Sequence, residues 1–303
     1  MASPLPVANT LRSGYLLAIG ELLVDAITLD FVADLAEADT LRVVAGGSPA
    51  NLCRFVQRGG GQAQLVAAVG RDGLGRQLLR AVQAAGLDAA HIQQLDDHAT
   101  SLIVVARSQG TPEFIQYRDA DRQLQAVPAA LLDGAAVVHT TAFALSKAPA
   151  RHAILDAFAA AHARCIPVSV DWNYAESVWG RKNNAAEILE QLLGYEPLLK
   201  FSLDDVQRFR GDALTAEAAR TWLATVPARL VCLTCGPAGV WFRGPAGSAW
   251  QHLPARPVQV VDATGAGDAF WAGFLTAWMQ HRCLPECAEQ GLATAARRLA
   301  GQL

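Results

Sequence analysis

Short apolar runs rich in Val, Ile and Leu recur along the chain, at Tyr15 to Ile19, Gln64 to Val69, Ser101 to Ala106, Ala135 to Thr140, Pro167 to Val170 and Arg229 to Leu233. Each has the length of a strand. Between many of them apolar positions return with helical spacing, over Asn51 to Gln57, Gly75 to Ala85, Ala150 to Ala163, Ala185 to Leu193 and Thr215 to Ala224, which predicts amphipathic helices. Strands alternating with helices predict an α/β fold, a mostly parallel central sheet covered on both faces, with ligands beyond the carboxyl ends of the strands. Two stretches break the alternation: Asp25 to Val44 and Ser101 to Arg118 carry extended, period-two patches with no helix between them. They predict a small β lid. No repeat, low-complexity tract or Pro/Gly/Ser-rich linker divides the chain, so residues 1–303 read as one domain with lid segments at approximately 25–45 and 101–119.

Composition narrows the partners. With 52% hydrophobic and 17% charged residues the chain can bury a large core, and its net charge of −3 without a Lys/Arg run offers no footprint for nucleic acid or an anionic membrane. Small molecules are the expected ligands. Met1 to Ser13 lacks the basic start and apolar stretch of a secretory signal, and no later run has the length of a membrane span; a cytoplasmic location is expected. The six cysteines are then expected to be reduced. Cys232 and Cys235 form a C-x-x-C that Cys283 and Cys287 could complete as zinc ligands, but an odd separation on a strand points the first two to opposite faces. Buried, inert cysteine is the reading adopted.

The densest chemical signal is Val260 to Phe270, reading VVDATGAGDAF, followed by an apolar helix to about Met279. Gly265 and Gly267 let backbone N–H groups converge at the helix N-terminus, where unpaired donors and the macrodipole favour an anion. Asp268, in the first turn, could accept a proton from a hydroxyl aligned on a bound phosphate, or it could simply cap its helix. Residue chemistry alone leaves both roles open. There is no Walker A sequence, and Phe270 occupies the third glycine position of G-x-G-x-x-G.

This stretch resembles the C-terminal signature D-T-x-G-A-G-D-x-F of the ribokinase-like (PfkB) carbohydrate kinases, with a local variation at Ala263 and Thr264. The resemblance implies a three-layer α/β/α fold, Asp268 as catalytic base and Gly265, Ala266 and Gly267 as anion hole. It extends over nearly the whole chain. Gly20 to Asp25 (GELLVD) resembles the opening strand and implies that Asp25 contacts sugar hydroxyls; Gly46 to Asn51 (GGSPAN) resembles G-G-x-x-x-N and places Gly47 and Asn51 in the sugar pocket. Residue chemistry agrees, since carboxylate and amide groups pair with a polyol. Val69 to Gly75 resembles the V-G-x-D-x-x-G turn, read as structural. Thr234 to Gly239 (TCGPAG) resembles T-x-G-x-x-G and implies that Thr234, Gly236 and Gly239 border ATP. Lys200 to Asp205 (KFSLDD) resembles K-x-S/N-x-x-E, implying Lys200 and Ser202 near the phosphates and Asp205, where Glu is usual, touching magnesium through water. ATP and Mg2+ are the implied cofactors, with room for a monovalent cation.

Phe114 to Arg118 (FIQYR) resembles the F-x-x-Y-R element of the fructokinase and 2-keto-3-deoxygluconate kinase subgroup, which implies that Arg118 reaches the sugar from the lid. Asp171 to Trp179 resembles D-x-N-x-R-x-x-L-W of that subgroup and implies that Asp171 and Asn173 line the substrate site. Here Ala175 replaces the usual Arg, with Glu176 beside it. That loss of positive charge favours a neutral sugar, fructose, over a sugar acid; 2-keto-3-deoxygluconate and nucleosides are the alternatives within the family. The chain ends soon after Leu299, which predicts abbreviated C-terminal helices beside adenine. Subgroup members are commonly homodimers, so a homodimer is expected. Two other classes compete with a kinase. A hydrolase elbow at Gly46 to Ala50 fails because Ala50 replaces the last glycine and Pro49 has no N–H for an oxyanion hole. A non-catalytic sugar-binding or regulatory protein on a kinase fold is the remaining alternative.

Overall fold

The computed structural model describes residues 14–32, 34–107, 114–211 and 213–303; the readings at Met1 to Ser13 and at the 108–113 part of the second lid segment lie outside them. The strands are β1 Tyr15–Ile19, β2 Leu23–Phe31, β3 Leu41–Gly46, β4 Ala63–Gly70, β5 Ile92–Leu95, β6 Leu102–Arg107, β7 Phe114–Tyr117, β8 Ala135–Thr141, β9 Val168–Asp171, β10 Leu198–Ser202, β11 Leu230–Thr234, β12 Val240–Arg243 and β13 Gln251–Leu253. Nine of them form one sheet in the order β13-β12-β11-β10-β9-β8-β1-β4-β5. It is parallel from β11 to β5, while β12 and β13 add an antiparallel edge.

Each strand alternates between two cores. Leu17, Ile19, Val66, Ala68, Val138 and Leu199 face one side and pack on Ile154, Phe158, Ile188 and Leu192 from the helices Ala150–Ala163 and Ala185–Leu193. Leu16, Ala18, Leu65, Ala67, Val137 and Leu198 face the other, against the helices Ser48–Arg58, Gly73–Ala84, Ala266–Met279 and Leu284–Leu299. Burial on both faces is why these strands read as continuous apolar runs. The helix Ala266–Met279 is buried all round from Ala269 to Trp278, as expected of a helix held between the sheet and the outer helix Leu284–Leu299.

The lid is a second sheet, ordered β3-β2-β6-β7. It joins the two segments that broke the alternation, with Asp25 opposite Val44 and Ile103. Thr100 anchors its base: its amide and hydroxyl donate to Asp72 at 2.7 and 2.8 Å, and Asp72 also caps the helix Gly73–Ala84 through the Gly75 amide at 2.8 Å. Asp171, Ser202 and Thr234 end their strands, and the register sets Asp171 beside Lys200 and Ser202 beside Thr234. The carboxyl edge thus presents the polar groups, as a parallel sheet requires.

Candidate active site

Asp268 stands in the first turn of the helix Ala266–Met279, entered through Gly265 in the left-handed region at φ 72°. The Ser48 hydroxyl donates to its Oδ1 at 2.6 Å and the Asn51 amide to its Oδ2 at 2.9 Å. Both donors belong to the helix Ser48–Arg58, and one turn further along it Arg54 donates to Asn51 Oδ1 at 2.6 Å. Burial is the largest influence on the Asp268 carboxyl and, with the nearby Asp171 charge, pushes it up to about 6, against the pull of Ser48, Asn51 and Lys200.

Asp25 is close enough for the two carboxylates to oppose each other. Burial first, and the Asp268 charge second, raise Asp25 to about 6, with Arg54 opposing. Glycine is required beside it: a Cβ added to Gly46 would lie 2.1 Å from Asp25 Oδ2. Gly47, at φ 100°, turns the chain into the helix where an added Cβ would meet the Glu21 carbonyl at 2.3 Å.

The second half of the site is ionic. Lys200 Nζ donates to both oxygens of Asp171 at 2.8 Å, with only 4% of either side chain exposed. Burial alone would lower the Lys200 ammonium, but the charges of Asp171 and Asp205 outweigh it and raise it. Nζ would lie 3.3 Å from a Cβ added to Gly267, so this cation borders the helix N-terminus. Of the three N–H groups expected there, one has an acceptor within the turn. Ala266 N–H is taken by the Ala263 carbonyl at 3.2 Å, whereas Gly265, Gly267 and Asp268 N–H find no protein acceptor among the described residues. Arg298, from the last helix, adds a second cation beside Gly265 and holds Asp262 at 2.5 Å.

Other expected site residues have different partners. Arg118 gives Nε and Nη2 to Asp121 at 2.9 and 2.6 Å and Nη1 to Phe143 O and Ser146 Oγ at 3.2 and 2.5 Å, which commits four of its five N–H groups. Asn173 accepts from the Phe143 amide at 3.0 Å. Both therefore brace the segment after β8. Asp205 closes a capping box with Ser202, accepting from its amide at 2.9 Å and its hydroxyl at 2.5 Å, and its remaining Oδ1 lies 3.5 Å from Arg208. Burial pushes its carboxyl up to about 6 against the Lys200 charge. Thr234 ends β11 beside Ser202, and Gly236 and Gly239 follow it; a Cβ added to Gly239, at φ 92°, would meet Leu253 O at 2.1 Å.

Sequence reasoning passed over Ser48, Arg54, Arg298 and Glu21. The first two carried a legible signal, since residues 48, 51 and 54 recur every three positions and share a helix face. Glu21 did not, because its partners are distant in sequence. It is 3% exposed, accepts from Thr141 Oγ1 at 2.8 Å and the Ser48 amide at 3.3 Å, and burial pushes its carboxyl up to about 8. The fold thus holds a proton that the unfolded chain releases near pH 4.5, and Glu21's contribution to stability is lost as pH rises through about 8. Glu21→Gln, which keeps the shape without the titration, should gain about 1–3 kcal/mol over the wild type at alkaline pH and lose that advantage in acid. Urea unfolding between about pH 5 and pH 9 measures this; parallel curves for the two proteins would refute it.

Residues 13–299 match the pfkB family carbohydrate kinase. The chain is 32% identical over 285 residues to the ATP-dependent 6-phosphofructokinase of Thermoanaerobacterium thermosaccharolyticum, covering 93% of this chain and 87% of that protein. Among solved structures it matches the fructokinase of Halothermothrix orenii with a TM-score of 0.82 at 28% identity, over 93% of this chain and 98% of that one. The fructokinase of Xylella fastidiosa with bound ATP matches with a TM-score of 0.80 at 26% identity, over 95% and 93%. Family match, ribokinase-like architecture and the helix-borne carboxylate agree: the chain belongs to the PfkB family of carbohydrate kinases, phosphotransferases that act on a sugar hydroxyl.

Proposed function

We propose that this enzyme transfers the γ-phosphoryl group of ATP to a hydroxyl of a small neutral sugar, fructose, with Asp268 as the base. The observation that carries this reading is the first turn of the helix Ala266–Met279, where a carboxylate adjoins open N–H groups and the Lys200 ammonium. These donors fit a nucleotide phosphate, and the ATP bound by the Xylella fructokinase supports the assignment. Bound Mg-ATP supplies the phosphoryl group and the cation that offsets its charge. The chain's own residues do the rest. Asp25, Gly47 and Asn51 orient the acceptor, Asp268 takes its proton, and the open N–H groups of Gly265, Gly267 and Asp268 hold the phosphoryl oxygens. Lys200, Ser202, Thr234, Gly236 and Gly239 border the nucleotide. Asp205 would meet a metal-bound water through Oδ1, the oxygen outside its capping box. Arg118, Asp171 and Asn173 act by shaping the pocket wall and the ion pair behind it. A weak base suffices because phosphoryl transfer depends on positioning and charge stabilisation.

A second acceptor has support of its own. The Thermoanaerobacterium relative is a 6-phosphofructokinase, and a cavity of about 410 Å³ beside Ser146 is lined by Lys147, Arg151 and Lys182 with no acidic side chain. Those features favour fructose 6-phosphate. We also propose a homodimer through the outer face of the lid, where the exposed Leu41, Val43, Ile115 and Tyr117 share one side of the sheet.

A coupled ADP-release assay with Mg-ATP against fructose, fructose 6-phosphate, 2-keto-3-deoxygluconate, ribose and adenosine tests the reading. Fructose should turn over fastest, with rates falling about tenfold per unit below pH 6 as Asp268 protonates. Faster turnover of fructose 6-phosphate would transfer the proposal to the second acceptor. Silence on all five, with ATP bound, would favour a non-catalytic sensor.

A further inference from the structure

Both oxygens of Asp268 are held from one helix, and one of the two donors belongs to a residue with no role in the reaction as drawn above. We propose that Ser48 is a positioning residue for the base, its hydroxyl setting the direction and the basicity of the Asp268 carboxylate. This rests on Asp268 being the base.

The terminal torsion of an aspartate is broad, so a carboxylate held by one donor can swing about its bond to Cβ. Asn51 fixes only Oδ2, at 2.9 Å; Ser48 fixes Oδ1, at 2.6 Å, and the two together define the carboxylate plane. The Ser48 bond has the short length of a hydroxyl donating to an ionised oxygen. Its own position is set by the backbone. The Ser48 amide donates to Glu21 Oε1 at 3.3 Å, Gly47 before it is locked at φ 100° against the Glu21 carbonyl, and Pro49 after it has a fixed φ. A serine has one hydroxyl proton, which here goes to Asp268, and Oδ1 keeps a second lone pair for the acceptor hydroxyl. Ser48 can therefore stay bonded while the reaction proceeds. Because it donates to the charged form, its removal should make Asp268 more basic and less well aimed.

The test is the pH dependence of kcat/KM for the preferred sugar in the wild type, Ser48→Ala and Ser48→Thr. The alanine variant should move the acid limb to higher pH by about one unit and lower kcat about tenfold near neutrality, with the sugar KM little changed. The threonine variant, which keeps the hydroxyl, should restore the wild-type limb. A limb that stays in place in Ser48→Ala overturns the proposal, even if kcat falls, because a merely structural defect lowers rates at every pH alike. Should the alanine variant fail to fold, Ser48→Cys, a weaker donor of similar volume, must move the limb the same way. Asp268→Asn, run in parallel, separates the failures. Retained turnover there removes the base itself, whereas an inactive Asp268→Asn with an unmoved Ser48→Ala limb removes only the role of Ser48.

Discussion

Asp268→Asn is expected to lower kcat by about two to four orders of magnitude while leaving sugar affinity within a few-fold of wild type, the scale of a positioned general base. The substitution keeps volume and planarity, so the turn at Gly265 and the packing of the buried helix behind it should persist. What changes is the atom facing each donor. The wild-type oxygens accept from Ser48 and Asn51, and an Asn amide can satisfy only one of them, turning its NH2 toward the other. The negative charge that opposes Asp25 also disappears, so Asp25 should ionise more readily in the variant than at its present value of about 6. An intact pocket with a second carboxylate still charged should therefore bind sugar and fail to deprotonate it. Initial rates with Mg-ATP, combined with calorimetric sugar binding, check both halves. Turnover within tenfold of wild type would remove Asp268 from the chemistry.

Much of this arrangement was legible because its causes are local. Alternation of Leu16 to Ile19 between two cores needs only a strand with helices on both sides, and the glycine turn before Asp268 announces itself in five residues. The rest depends on distant partners. β10 escaped the periodicity reading because Lys200 interrupts an apolar run, and that lysine is tolerated inside a strand only because Asp171 sits opposite it on β9. The Leu284–Leu299 helix, 16 residues long, was not among the helices that periodicity predicts, since small residues, Gly291 against Phe270 among them, make its contact with the buried helix. The motif implies that Arg118 reaches the sugar, and it does not announce that Asp121, three residues on, and Ser146, across the fold, hold its guanidinium. Nor does the signature announce that the Ala266 N–H already has an acceptor in the Ala263 carbonyl. Motif spacing locates backbone and residue type. It does not say which hydrogen bonds the site has already spent.

The largest stability effect should come from the buried Asp171–Lys200 ion pair beside the N-terminus of the helix Ala266–Met279. Asp171→Ala is expected to destabilise the fold by about 3–5 kcal/mol, because it strands a buried ammonium rather than merely deleting an attraction. Lys200 Nζ has both oxygens of Asp171 at 2.8 Å, and neither side chain is more than 4% exposed. Asp205 cannot replace that partner, since its Oδ2 is engaged by Ser202 and its Oδ1 faces Arg208. With Asp171 gone, burial regains control of the lysine and drives it toward the neutral form. Removing both charges together, Asp171→Leu with Lys200→Met, should cost far less, within about 1–2 kcal/mol of wild type, because no uncompensated charge remains. That double variant should nonetheless lose most ATP turnover, since the cation beside Gly267 is gone. Urea unfolding at a common slope, read for the single and double variants, decides the matter. A double variant as unstable as Asp171→Ala would mean that the pair holds the strands together by its geometry. A stable double variant that has lost nucleotide affinity would mean that the pair is kept for the phosphate site and is carried by the fold at a net cost.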